Sequence, residues 1–476
     1  MSVDSSSEPH TPVTIEDAAN RYTRGTVWKL LIRTAVPMLP GTLSLSGYNI
    51  ANTYFLAKLG LEPLAAMGFV FPVVMLVGCV FIGLSVGVMT PMAQAIGRGD
   101  REQAVQIATS GLLLTVLASI FCGLLGNATL EWTFRQYGAD ASLIPVIAEY
   151  MHIWYAGCFT IALMMLGNNL MIGSGMPVHA GLLMLFGMGL NVGLDAWFIF
   201  GAGPIPALGV RGAALGTVIA QGSAGCLAMI ALQHQRKLFR LHVLRDVSNV
   251  LKQWSTIVEM SIPLTLSYLL MPLGNSVIVW IISRFGHEAV AACTAVGRLE
   301  AVACLITMSL GMSLTSVVAQ NFGAEKFERI RQTLKISVTF ALLMELCVAI
   351  LAFCFARSIA EFFVTDPLVV KIMIWHLQIV TFGYGMTEVH RFSCGFLTGC
   401  SHPRLATCVN LLRVTLLVAS SYVGAQWHGV TGVFFARLGT DFFAGSASLL
   451  LTIWIVWHLH LFSKTARLPN LSHAVR

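Results

Sequence analysis

Twelve apolar blocks, each long enough to cross a bilayer, follow one another along this chain with little sequence between them. They fall at approximately 30–57, 65–92, 104–127, 144–171, 178–201, 210–233, 255–283, 289–318, 333–356, 368–398, 404–425 and 430–457. A helix needs ~20 apolar residues to span hydrocarbon, and only helices or closed barrels satisfy their own backbone groups there. The expected fold is therefore an all-α membrane protein of twelve transmembrane helices. Composition agrees, since 56% of the 476 residues are hydrophobic and 11% charged, far from a soluble domain.

The formal net charge of +7 could suggest a nucleic-acid partner, but the positions of the charges argue otherwise. With the N-terminus placed inside, the loops on that side carry 19 Lys and Arg and the opposite loops 6. The positive-inside rule then puts both termini in the cytoplasm. The cluster Arg236, Lys237, Arg240, Arg245 and Lys252 reads as an orientation signal that touches lipid headgroups. The eleven Cys lie mostly inside apolar blocks, form no CxxC pair and read as small core residues. The stretch from Met1 to Gly25 is polar, without the apolar core of a cleaved signal. Residues 1–12 read as disordered, and Thr14 to Asp17 could cap a short surface helix.

Laid on itself so that Pro37 meets Pro263, the chain matches in several separate places without any change of register. Gly60, Glu62, Ala65 and Ala66 meet Gly286, Glu288, Ala291 and Ala292. Ala93, Gln94 and Gly97 meet Ala319, Gln320 and Gly323, while Gly173 and Pro177 meet Gly399 and Pro403. One constant offset through loops and helices alike implies an internal duplication. Six spans per copy return the chain to its starting side, so the copies are parallel and related by an axis along the membrane normal. The expected organisation is a tail at 1–26, a lobe at 27–233, a cytoplasmic linker at 234–254, a second lobe at 255–457 and a tail at 458–476. Leu238, Leu241, Leu244 and Leu251, with basic residues between, suggest that the linker is one amphipathic helix on the membrane surface.

Signatures of soluble catalysis are absent or misplaced. There is no GxxxxGK[ST], and the GxSxG match from Gly83 to Gly87 lies inside an apolar block without the strand a nucleophile elbow requires. An intramembrane enzyme would also need a cluster of His, Ser or carboxylates at one depth, and none is visible. What remains are charges in hydrocarbon, which are costly and commonly functional. Asp195 has no Lys, Arg or His between 181 and 200 to neutralise it; the bland alternatives are a protonated carboxyl or an Arg from another helix. Glu300 and Glu345 find no cation on their own helices either. Arg437 with Asp441, and Glu388 with Arg391, are spaced to meet on one helical face as structural bridges. Arg413 needs a partner elsewhere, with Glu345 or Glu388 as candidates. Asp195, Glu300 and Glu388 are thus the carboxyls best placed to exchange an ion as access alternates.

Several stretches together resemble the multidrug and toxic compound extrusion (MATE) transporters. They are YNIANTYFLAKLG at 48–60, LAAMGFVFP at 64–72, GLSVGVMTPMAQAIGRGD at 83–100, LNVGLDAWFIFG at 190–201 with GVRGAALGT following, RFGHEAVAA at 284–292, GRLEAV at 297–302 and MSLTSVVAQNFGA at 312–324. The resemblance implies two pseudo-symmetric six-helix lobes forming a V, and export of small amphipathic, cationic organic compounds in exchange for H+ or Na+. No cofactor beyond that ion and a monomeric state are expected, and the chain's size and lean loops point to a bacterial inner membrane. Members commonly use an Asp and an Asn on the fifth helix and a Thr on the sixth, matched here by Asp195, Asn191 and Thr217. Their first-helix Asp-Thr reads Asn52-Thr53, which leaves one acid instead of two and favours a single-carboxyl proton site over a full Na+ cage. Other members place coupling in the second lobe, on a Glu of the eighth helix and an Asp of the tenth. Glu300 resembles the first, while Thr387 aligns with the second and Glu388 lies beside it. Related exporters that flip lipid-linked oligosaccharides share the architecture and show a more basic cavity, an alternative that Arg298, Arg391, Arg413 and Arg437 keep open.

Overall fold

The computed structural model describes residues 21–201 and 206–459, except for the side chains at 45, 46, 48–50 and 53. The cap expected at Thr14 to Asp17 and the C-terminal tail from residue 460 lie outside the described residues. Within them the chain is nearly all helix. Eight helices are long and apolar enough to cross a membrane, and two further pairs, Ile144–Ala156 with Cys158–Gly173 and His287–Ala303 with Leu305–Gly323, are single spans bent by 52° and 59°. The helix Pro403–Trp457 cannot be one span, because 55 residues at 1.5 Å each would reach roughly 80 Å. It folds back at His428 and Gly429, where φ is −132° and 62°. Across that turn Ser420 meets Thr440 at 3.0 Å and Arg413 meets Asp441 at 2.7 Å, the register of an antiparallel hairpin. This hairpin supplies the eleventh and twelfth spans.

The first span is assembled from Val27–Ala35, a tight turn at Val36–Met38 around Pro37, and Leu39–Leu59. Pro37 removes a donor from the helical ladder, so the chain tightens there. The second to sixth spans are Leu61–Arg98, Arg101–Ala128, the first bent pair, Pro177–Phe200 and Val210–Arg236. The seventh is Val247–Ser283, the eighth the second bent pair, the ninth Phe327–Phe363, and the tenth Pro367–Ile379 continued by Tyr384–Gly399.

The duplication is visible in the backbone. Gly60 and Gly286, counterparts in the repeat, adopt φ 124°, ψ 179° and φ 104°, ψ 169°. Gly99 and Glu325 share left-handed φ values of 79° and 56°, as do Gly175 and Ser401 at 78° and 66°. Residues of different chemistry hold the same turn, so the two six-span units carry one inherited chain path.

The linker corrects the sequence expectation. No single surface helix occupies 234–254. The sixth span runs to Arg236, Lys237 stops it in the left-handed region, and a short turn at Leu241–Arg245 follows. Asp246 then caps the seventh span, its carboxylate accepting from the Asn249 amide at 3.1 Å. Leu238 is fully buried in the first lobe's core, while Leu241 stays 83% exposed, so the leucines do not share one face.

Candidate functional site

Asn191 and Asp195 stand one turn apart on the fifth span and face the sixth, which presents small residues. That choice lets the carboxyl in: a methyl group on Gly216 would lie 2.3 Å from Asp195 Oδ1. Asn191 Nδ2 donates to Thr217 Oγ1 at 3.4 Å, and Thr217 in turn donates to the Ala213 carbonyl at 3.0 Å. Asp195 and Asn191 are each 1% exposed and Thr217 7%. Asp195 Oδ1 and Asn191 Oδ1 have no hydrogen-bond partner among the described residues. Two orphaned oxygens beside a hydroxyl oxygen, bearing one ionisable group in total, suit a proton or a single monovalent cation completed by water, since hard cations take oxygen ligands. Asn52 is half-buried on the first span, which packs along the fifth. The structure thus brings together Asp195, Asn191 and Thr217.

The second lobe treats its acids differently. Glu300 is not unpaired: Arg437, from the twelfth span, reaches its Oε1 at 2.5 Å, and both side chains are 25% exposed. Sequence spacing could not reveal this pair, because its members are 137 positions apart. Arg437 also approaches Asp441 at 3.7 Å, the one-face spacing expected from sequence, but only as a secondary contact. Arg413 pairs with Asp441 at 2.7 Å, not with Glu345 or Glu388, because the hairpin folds those two residues together. Glu388 is fully buried against Arg391 at 2.9 Å, as expected. Thr387 beside it donates to the Gly383 carbonyl at 3.3 Å. Glu345 accepts from Thr307 at 2.7 Å and lies near Cys304 Sγ at 3.9 Å. Three arginines and four acids form one dense polar core, with Glu300, Glu345 and Arg413 all within electrostatic range of Glu388. Arg298 stands exposed and forms no ion pair among the described residues.

Apolar side chains such as Phe121, Leu124, Ile230, Leu343 and Phe443 stand 58–68% exposed on the outer helix faces, where a soluble protein would not leave so many. Two repeats of six membrane helices, with ionisable groups enclosed between helices, define a multi-pass membrane transporter. The chain belongs to the MatE family, whose model matches residues 37–197 and again 263–423, two copies that begin at Pro37 and Pro263 in the register of the internal repeat. It is 31% identical over 424 residues to the FAD transporter of Shewanella oneidensis, covering 88% of this chain and 93% of that one. It is also 22% identical to the multidrug export protein MepA of Staphylococcus aureus, over 90% of this chain and 94% of that one. Among solved structures, the Vibrio cholerae MATE transporter VcmN in its bent form superposes with a TM-score of 0.85 at 25% identity, covering 94% of this chain and 99% of that one. The fold is the V-shaped bundle of twelve helices in two six-helix lobes.

Proposed function

We propose that this protein is a secondary antiporter that exports small organic solutes, driven by H+ or Na+ entering through Asp195. The observation that carries this reading is a carboxyl buried in a membrane span, with a partnerless Oδ1 and no ion pair to any described cation. Such a group can hold an ion in one state and release it when water reaches it in another, which couples its charge to conformation. The acids of the second lobe contact arginines or, for Glu345, a hydroxyl, and they serve as scaffold. The 19-to-6 asymmetry of basic residues supports cytoplasmic termini.

The higher identity to an FAD transporter than to the multidrug exporters supports FAD as the first solute to assay, ahead of the amphipathic cations that a lone acid would attract. The flippase alternative loses support, because Arg391, Arg413 and Arg437 are each matched by an acid and offer less free positive charge to an anionic headgroup. In proteoliposomes, an imposed pH or Na+ gradient is expected to drive uphill movement of FAD or of a cationic dye. Undiminished transport in Asp195→Asn would refute the coupling role, and movement indifferent to either gradient would refute the antiporter.

A further inference from the structure

One close contact between the two lobes lies on the pseudo-twofold axis, where the second and eighth spans cross in their last turns. Gln94 Nε2 donates across the lobes to the Gly399 carbonyl at 2.9 Å. Gln320 Nε2, its counterpart in the second copy, donates back across them to the Gly173 carbonyl at 2.8 Å. The acceptors Gly173 and Gly399 are themselves counterparts in the repeat, so each lobe gives the other the same bond. Both amides are buried, at 6% and 0% exposure. Beneath them the helices touch backbone to backbone: a methyl group on Gly97 would lie 2.0 Å from the Gln320 carbonyl oxygen, and one on Gly323 2.0 Å from that of Gln94. Small residues at a crossing permit such approach in membranes. Tyr22 adds a second tie at this end, donating to Ile172 of the first lobe while its own carbonyl accepts from Asn321 of the second.

We infer that Gln94 and Gln320 are gating residues of transport, a crossed pair of latches that closes the basic-loop end and must part for that end to open. Asp195 sits five residues from the far end of its span, about 8 Å along the helix axis. The latch therefore lies at the opposite end of the bundle from the end nearer Asp195, and closing it leaves the ion site reachable only from the far side. Neither bond holds a helix together, since each links residues about 150 or 300 positions apart. Their energy counts only while the lobes are joined at this end.

This inference rests on the exporter reading only in requiring a path that opens at alternate ends, and its test needs neither solute nor driving ion. Hydrogen exchange of the full chain in lipid nanodiscs would be followed at 92–102 and 318–328. Replacing Gln320→Ala is expected to accelerate exchange about fivefold in both segments, including the unmutated lobe, as loss of one buried amide bond implies. Acceleration confined to 318–328, or absent, would overturn the proposal. Gln94→Glu guards against simple misfolding. An ionised carboxylate can still accept from the Ser401 hydroxyl, which reaches Gln94 Oε1 at 3.2 Å, but cannot donate to the Gly399 carbonyl, whereas a protonated carboxyl can. After correction for intrinsic rates, both segments should exchange faster than wild type at pH 8 and recover wild-type protection at pH 5. Wild-type protection at both pH values would overturn it as well.

Discussion

The two lobes share one chain path and hold their buried acids in opposite ways. In the first, Asp195 lies among Asn191, Gly216 and Thr217 with one oxygen unpaired. In the second, Glu300, Glu388 and Asp441 are each within 2.9 Å of an arginine nitrogen. On the proposed coupling role of Asp195, the duplicated fold gives one copy to ion exchange and stiffens the other with ion pairs. The physical difference is cost: a paired acid in a low-dielectric interior loses much when its partner is removed, while an orphaned acid has already borne its desolvation.

The largest expected effect tests the stiff lobe. Arg413→Ala leaves Asp441, at zero exposure, with only the more distant Arg437, and should cost about 3 kcal/mol of stability. Thermal unfolding in detergent reads this as a lowered Tm. The double replacement Arg413→Met with Asp441→Leu should recover most of it, because a buried pair swapped for apolar bulk is often near neutral. Equal destabilisation in the double variant would break the assignment of this pair to a self-contained scaffold.

Asp195→Asn should behave in the reverse manner. Its stability should stay within ~1 kcal/mol of wild type, since no ion pair is lost, while gradient-driven transport falls roughly a hundredfold, about 2.7 kcal/mol of lost coupling. Glu300→Gln comes next in size. Its pair with Arg437 is a quarter exposed on both sides, so water screens it, and ~1 kcal/mol of stability with a few-fold loss of transport is expected. If Glu300→Gln abolished transport and Asp195→Asn spared it, the roles of the lobes would have to be exchanged.

What the sequence discloses of this architecture depends on sequence separation. The spans followed from hydropathy, and the repeat from one constant offset. Some of the residues that revealed that offset, Gln94, Gly97 and Gly173 with Gln320, Gly323 and Gly399, meet on the axis. Close packing at an inter-lobe contact tolerates few side chains, which accounts for the likeness between the copies there. Even so, the glutamines showed only as a match, and no residue pattern announced a bond spanning 305 positions. The Glu300 to Arg437 and Arg413 to Asp441 pairs were hidden for the same reason. The linker misled differently: its leucines have helical spacing, but Lys237 and Asp246 carry stop and start signals that outweigh it.

The smallest effect sharpens the comparison furthest, because it separates the two candidate ions. Thr217→Val keeps the volume and removes the hydroxyl that accepts from Asn191 at 3.4 Å. That bond is long and the hydroxyl's other bond, to the Ala213 carbonyl, is local to its own helix, so under about 1 kcal/mol of stability is at stake. A proton needs only the Asp195 carboxyl, and a pH gradient should then drive transport within about twofold of wild type. Sodium takes oxygen ligands; losing one of three side-chain oxygens should raise the Na+ concentration for half-maximal transport about tenfold, with Thr217→Ser restoring it. Equal small losses under both gradients would mark the hydroxyl as a packing group and leave Asp195 to act alone.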